Sequence, residues 1–388
     1  MCERKRAPKK LIVTALAAAA TLLGGLPASQ VMADTLEMSG VIRDFKRGDQ
    51  SGGHADFETA GAMGRFGHVI GMVTMDLGSD GKPVYSSSRP DKDTMHGSSK
   101  FAQWYKDVPN VNIAIPLTIA LSNGKSEPGG VYSYASNSFW PIDGKGFGNQ
   151  GLNRNFHFTF ELHNTFTYRP GQNFTFIGDD DVWVYIAKKK VIDLGGVHSA
   201  ETSSVLLFDG KAFVTKGNFT LGGDVKSVSS SMATSLAQKW SDLAMSGSSP
   251  IKSGDYYIDL DLNAGLCDIA ASFTDHSATV RGTKNLTAVT LRYIDGTVQK
   301  FDNLNVGKAA TFTGTGAYAA KTLIGAYIKT SDDTSANGRY RGADNSGGID
   351  ANLDFFFAER HTTQSNFRID TSMTLKPTLN NTISPLYD

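Results

Sequence analysis

The chain of 388 residues is 40% hydrophobic and 20% charged, an ordinary globular composition with length for two or three domains. Basic and acidic residues number 38 each, and without its basic first ten residues the chain is slightly acidic. That balance points away from a nucleic-acid partner and from a polybasic membrane-binding surface.

Arg4, Lys5, Arg6, Lys9 and Lys10 precede an apolar run over 11–26 and then Val31-Met32-Ala33. This is the layout of a secretory signal peptide, residues 1–33, cut after Ala33. The only cysteines are Cys2, which leaves with the signal, and Cys267, read as a buried structural thiol; no internal disulfide is expected. No later apolar run approaches the roughly 20 residues of a membrane helix, so the mature chain is expected to be secreted, without a membrane span.

Strand periodicity dominates the mature chain. Residues 156–163 alternate, with Phe156, Phe158, Phe160 and Leu162 on one face and His157, Thr159, Glu161 and His163 on the other. The polar set reads as a solvent face, since His157 and Glu161 lie about 13 Å apart along an extended strand and cannot easily share a metal. Short strands are expected at 174–176, 182–186 and 191–194, with Lys188, Lys189 and Lys190 at a hairpin tip kept soluble by charge. The serine-rich stretch from 225 to 250 marks a boundary, with some helical spacing over 231–245. Strands are then expected at 256–262, 288–294, 298–301 and 322–328, Asp295-Gly296 supplying a hairpin turn. A polar, glycine-rich loop is expected at 331–348 before Leu353-Asp354-Phe355-Phe356-Phe357 restores the earlier aromatic style. One domain interrupted by another would produce that return.

The acidic turn Gly178-Asp179-Asp180-Asp181 carries the chemistry. Adjacent carboxylates repel unless a cation or several donors neutralise them. Calcium, a hard ion with 6 to 8 oxygen ligands, suits such a site. Two adjacent aspartates share an ion only if the backbone bends between them, through Gly178 or a cis peptide; a solvated loop of Asx-turns is the competing reading. Trp183 and Trp140 are aromatic candidates for stacking on a sugar ring, although the alternation of Trp183 with Val182 and Val184 also suits a core position. No HExxH or GxSxG spacing occurs.

The run Gly178-Asp179-Asp180-Asp181-Val182-Trp183-Val184-Tyr185-Ile186, followed by Val191-Ile192-Asp193-Leu194-Gly195-Gly196-Val197-His198, resembles the hallmark of the fibro-slime domain, a branch of the PA14-like β-sandwich family. Other segments resemble it in order: Ile42-Arg43-Asp44-Phe45, His54-Ala55-Asp56-Phe57-Glu58, Gln103-Trp104-Tyr105, Phe139-Trp140-Pro141, and Phe355-Phe356-Phe357-Ala358-Glu359-Arg360-His361. The resemblance implies an all-β fold, a PA14-like β-sandwich over 34–224 and 351–376. It would be interrupted at 225–350 by a second, smaller β-sandwich-like domain and followed by a tail at 377–388. It also implies an Asp-Asp pair, joined by a cis peptide, that holds calcium. The ligands carry over onto Asp179 and Asp180, with Asp181 standing where the wider pattern often has glycine. The expected function is calcium-dependent binding to extracellular or cell-surface polysaccharide, or adhesion in a matrix. The alternatives are a self-assembling slime or surface-layer component and, less in keeping with the motifs, an exported polysaccharide hydrolase.

Overall fold

A computed structural model describes residues 34–58, 67–86, 95–124, 130–260, 262, 268–343, 349–362 and 364–376. The signal segment 1–33, Cys267 and the tail 377–388 lie outside the described residues. The chain is all-β, 45% strand against 7% helix, and its strands pair antiparallel.

The first eleven strands are β1 (Thr35–Phe45), β2 (Asn112–Ser122), β3 (Tyr132–Ser136), β4 (Phe158–Thr167), β5 (Gln172–Gly178), β6 (Asp181–Ile186), β7 (Lys189–Leu194), β8 (Glu201–Phe208), β9 (Lys211–Lys216), β10 (Val225–Ser227) and β11 (Tyr256–Asp259). Seven more belong to the insertion: β12 (Ile269–Phe273), β13 (Ser277–Gly282), β14 (Leu286–Tyr293), β15 (Val298–Phe301), β16 (Ala309–Thr313), β17 (Leu323–Thr330) and β18 (Arg339–Gly342). The chain then returns in β19 (Asp350–Glu359), β20 (Phe367–Thr371) and β21 (Leu375–Lys376).

One hydrogen-bonded path runs β10-β11-β9-β8-β5-β20-β3-β2-β1-β4-β19-β6-β7, with β21 beside β4. Its two halves share a single apolar core: Phe174, Phe176, Val205 and Leu207 from one side meet Phe160, Val184, Ile192, Phe355 and Phe357 from the other. The path therefore folds back on itself as a β-sandwich, and burial of that many large side chains is its main stabilising term. The returning strand β19 pairs with β4 on one edge and β6 on the other, so the chain after the insertion completes the first sandwich.

The alternation of Trp183 with Val182 and Val184 runs on through β6, and β19 alternates likewise, but both faces are covered. Val182, Val184 and Ile186 enter the main core; Trp183 and Tyr185 enter a second cluster with Phe45, Phe57, Phe101, Trp104, Tyr105 and Phe356. Most of that second cluster comes from the connection between β1 and β2, which lies over the outer face. A strand buried on both sides reads as a continuous apolar run, as 182–186 does.

This cover corrects the solvent face expected of β4. Glu161 is buried, accepting from Arg43 Nη1 at 2.8 Å and from Lys82 Nζ at 2.5 Å. His163 bonds Asp354 at 2.7 Å, and His157 is buried too. Likewise Lys190 is not a solvated tip: it is buried, donating to Asp193 at 2.6 Å and to the Val73 carbonyl at 2.7 Å.

The boundary expected at 225 also moves. Strands β10 and β11 extend the large sheet beside β9, and helix Ser230–Asp242, capped by the Ser229 hydroxyl, packs Leu236 and Trp240 against Phe208 and Phe213. The smaller sandwich begins at β12. Its sheets β12-β13-β16 and β15-β14-β17-β18 enclose Val280, Leu286, Val289, Leu291, Tyr293 and Ile328. The hairpin at Asp295-Gly296 joins β14 to β15 as expected, whereas β18 lies inside the stretch expected to be a loop.

Candidate functional site

Strand β5 pairs with β8 and β20 in one half of the sandwich, and β6 pairs with β19 and β7 in the other. The acidic turn is the crossover between the halves. No peptide bond among the described residues is cis. The bend sits at Asp180, whose φ of 93° lies in a region that non-glycine residues adopt at a cost of about 1–3 kcal/mol. Gly178 has a different task from the one expected of it: a Cβ there would stand 2.4 Å from the Asn366 carbonyl, so it admits the start of β20.

The three carboxylates have distinct environments. Asp181 is fully buried, with Oδ2 accepting from Arg360 Nε at 2.5 Å and Oδ1 from the Gly196 amide at 2.7 Å. Its charge is balanced by the Arg360 guanidinium, which answers the repulsion argument for one of the three, and it does not line the small cavity that Asp179 and Asp180 share, so the structure does not bring this candidate ligand together with them.

Asp179 accepts from the Asn366 amide and side chain, both at 2.7 Å, and Asp180 accepts from the Arg360 amide at 2.9 Å. Both line a cavity of about 50 Å³ together with His198, Ser199, His361 and Gln364. Burial raises the Asp179 carboxyl above its ordinary range. Burial, then the charge of Asp181, pushes Asp180 up to about 7, against the opposing influence of Arg360.

Glu359, at the end of β19, is not among the candidate ligands that the sequence offers. It is 1% exposed, and its oxygens meet no donor in full hydrogen-bond geometry, the Ser365 side chain and the His361 backbone easing its charge only in part. Burial first, and then Asp180 and Asp179, hold its carboxyl well above the usual range. A buried carboxyl eased only in part, beside two others, is a costly arrangement that a cation would relieve.

The fit to calcium is thus in the donor chemistry: hard carboxylate oxygens of Asp179 and Asp180 on one small cavity, with Glu359 behind. Asp179, Asp180 and Glu359 do not each bring a ligand atom within 4.8 Å of the others. Among the described residues, the one group of three or more that does so is His68, His198 and Glu201.

The aromatic candidates fare differently. Trp183 is wholly buried and donates from Nε1 to Asp193 at 3.1 Å, which corrects its candidacy as a sugar platform. Trp140 is partly buried, with Arg154 stacked over its ring at 4.7 Å and Phe156 at its edge. One of its faces is therefore already covered.

The fold and site define an all-β sandwich protein with a buried carboxylate crossover. No family model matches the chain. Proteins of Dictyostelium discoideum to which it is similar include psiD, 42% identical over 157 residues, psiC, 39% over 168, and psiR, 39% over 165. These matches cover 37%, 39% and 39% of this chain but only 30%, 31% and 16% of those proteins. A β-glucuronidase from an uncultured Clostridium species aligns over 78% of this chain and 44% of its own, at 10% identity and a TM-score of 0.19, too low to bear on fold or activity.

Proposed function

We propose that the chain is a secreted, calcium-dependent carbohydrate-binding or adhesion protein of an extracellular matrix, built on a PA14-like fibro-slime sandwich. The observation that carries this reading is the pairing of Asp179 and Asp180 on one cavity, with φ of 93° at Asp180 and the buried Glu359 carboxyl beside them. Backbone strain and clustered buried carboxylates are stabilised poorly by the protein alone, and a hard cation offsets both. In this reading Asp179 and Asp180 ligate the ion, and Asp181 holds the turn in place through Arg360. Polysaccharide hydroxyls would complete the coordination.

A second reading makes the protein a self-assembling matrix component in which calcium only stiffens the crossover. It is favoured by the small cavity and by the burial of Trp183, which leave little aromatic surface beside the turn. A glycan array with and without chelator separates them. Chelator-sensitive glycan binding supports the first, while an array with no binding and calcium-driven assembly in light scattering supports the second.

A further inference from the structure

A second set of ligating side chains meets where residues 67–69 lie against the glycine loop after β7. The Gly67 amide donates to the Val197 carbonyl at 2.8 Å and the Val69 amide to the Gly195 carbonyl at 2.7 Å, so His68 is held between two bonds. The approach depends on glycine: a Cβ on Gly196, whose φ is 98°, would stand 2.5 Å from the Gly67 carbonyl oxygen. The His68 and His198 rings then meet edge to face, with centroids 4.7 Å apart.

Glu201 opens β8 opposite Gly178 and brings Oε2 to 2.6 Å from His68 Nε2. The contact is at ion-pair distance, but Nε2 is buried and out of hydrogen-bond alignment with the carboxylate. A cation bound by both atoms would take up their lone pairs and draw them apart to the spacing of two ligands. Atoms bound to one tetrahedral zinc at about 2.0–2.1 Å lie roughly 3.3 Å from each other.

His198 adds a second sign. Its Nδ1 lies 2.9 Å from the Ser199 carbonyl and its Nε2 3.2 Å from the Leu194 carbonyl. A neutral imidazole has one N–H, so a donor at Nδ1 leaves the Nε2 lone pair facing an oxygen. In a metal-bound histidine one nitrogen donates to a backbone carbonyl and the other faces the ion, so either carbonyl here can hold the His198 N–H while the other nitrogen turns to the ligand set.

We propose that His68, His198 and Glu201 bind a divalent transition-metal ion of the zinc class. Two imidazoles and a carboxylate are borderline ligands that suit zinc, cobalt or nickel rather than calcium. The site adjoins the acidic cavity through His198 but has its own ligands, so it stands or falls independently of calcium at Asp179 and Asp180.

The test is titration of Co²⁺ into the full chain, purified without a histidine tag, followed by visible absorption and then by Zn²⁺ competition. The wild type is expected to bind one equivalent, with bands that Zn²⁺ abolishes and excess Ca²⁺ does not. His68→Gln and Glu201→Gln are each expected to weaken binding by at least about tenfold, the lower end of what even outer-shell changes cost. Asp180→Asn should retain the bands. Absence of stoichiometric Co²⁺ binding in the wild type, or unchanged affinity in both ligand variants, would overturn the proposal and leave an ordinary His68–Glu201 contact. Circular dichroism accompanies each variant; should His68→Gln fail to fold, the wild-type titration and Glu201→Gln still decide the matter.

Discussion

Arg360 and Asp181 form an ion pair with no solvent exposure on either side chain, Nε to Oδ2 at 2.5 Å, and it ties the end of β19 to the start of β6. The bond joins residues 179 positions apart, so it closes the sandwich across the whole insertion. Arg360 also stacks over Trp104 at 5.0 Å, which links the crossover to the second apolar cluster.

Removing one partner strands a buried charge. Asp181→Ala is expected to destabilise by about 3–5 kcal/mol in urea unfolding, while Asp181→Ala/Arg360→Met recovers a large part of that loss. Equal midpoints for wild type and Asp181→Ala would show that the pair does not hold the crossover.

The Glu161–His163–Asp354 group predicts a pH profile. Burial opposes the Glu161 charge, but His163, Arg43 and Lys82 outweigh it and hold the carboxyl at about 2. Burial lowers His163, but its bonds to Asp354 and Glu161 outweigh that and raise it to about 9. Stability from His163 is thus full below its unfolded pKa of about 6.5 and is lost as pH rises through about 9. Stability from Glu161 is full above about 4.3 and is lost as pH falls through its folded value. His163→Gln is expected to cost about 2 kcal/mol at pH 6 and to flatten the alkaline decline. Parallel profiles for the two proteins would contradict this.

Asp180 carries the opposite sign to Glu161. Its folded pKa is raised, so in chelated protein its contribution is full below the unfolded value near 3.9 and is lost as pH rises through about 7. Thermal unfolding in chelator should therefore lose stability across that window, and added calcium should restore it at neutral pH. A chelated profile identical to the calcium-loaded one would contradict calcium binding at this carboxyl.

Gly196→Ala tests the loop clamp. The positive φ alone costs about 1–3 kcal/mol for alanine, and the clash with Gly67 adds to it. Urea midpoints should fall accordingly; an unchanged midpoint would mean that 67–69 does not rest on the glycine loop.

Much of the fold was legible because local pattern and burial agree there. Alternation fixed β4, the run 182–186 fixed β6, and the aromatic return at 353–357 announced β19, which pairs with β4 and β6. What was not legible depends on cover from distant chain. Glu161 and Lys190 look like solvent residues until the connection between β1 and β2 lies over them. Serine richness after 225 signals surface, and it says nothing of which sheet β10 and β11 join. Within the acidic turn, spacing could not separate Asp181 from its neighbours, since Arg360 arrives from the far side of the insertion. The meeting of His68, His198 and Glu201 was hidden for the same reason, although Gly195-Gly196 ahead of His198 was a signal of close backbone approach.

The central claim is that Asp179 and Asp180 hold calcium. Calorimetric titration of calcium into the wild type and into Asp179→Asn/Asp180→Asn tests it most directly. Saturable binding is expected in the wild type, weakened by at least about tenfold in the variant, because two anionic oxygen ligands have become neutral amides. Equal heats and affinities from the two folded proteins would contradict it.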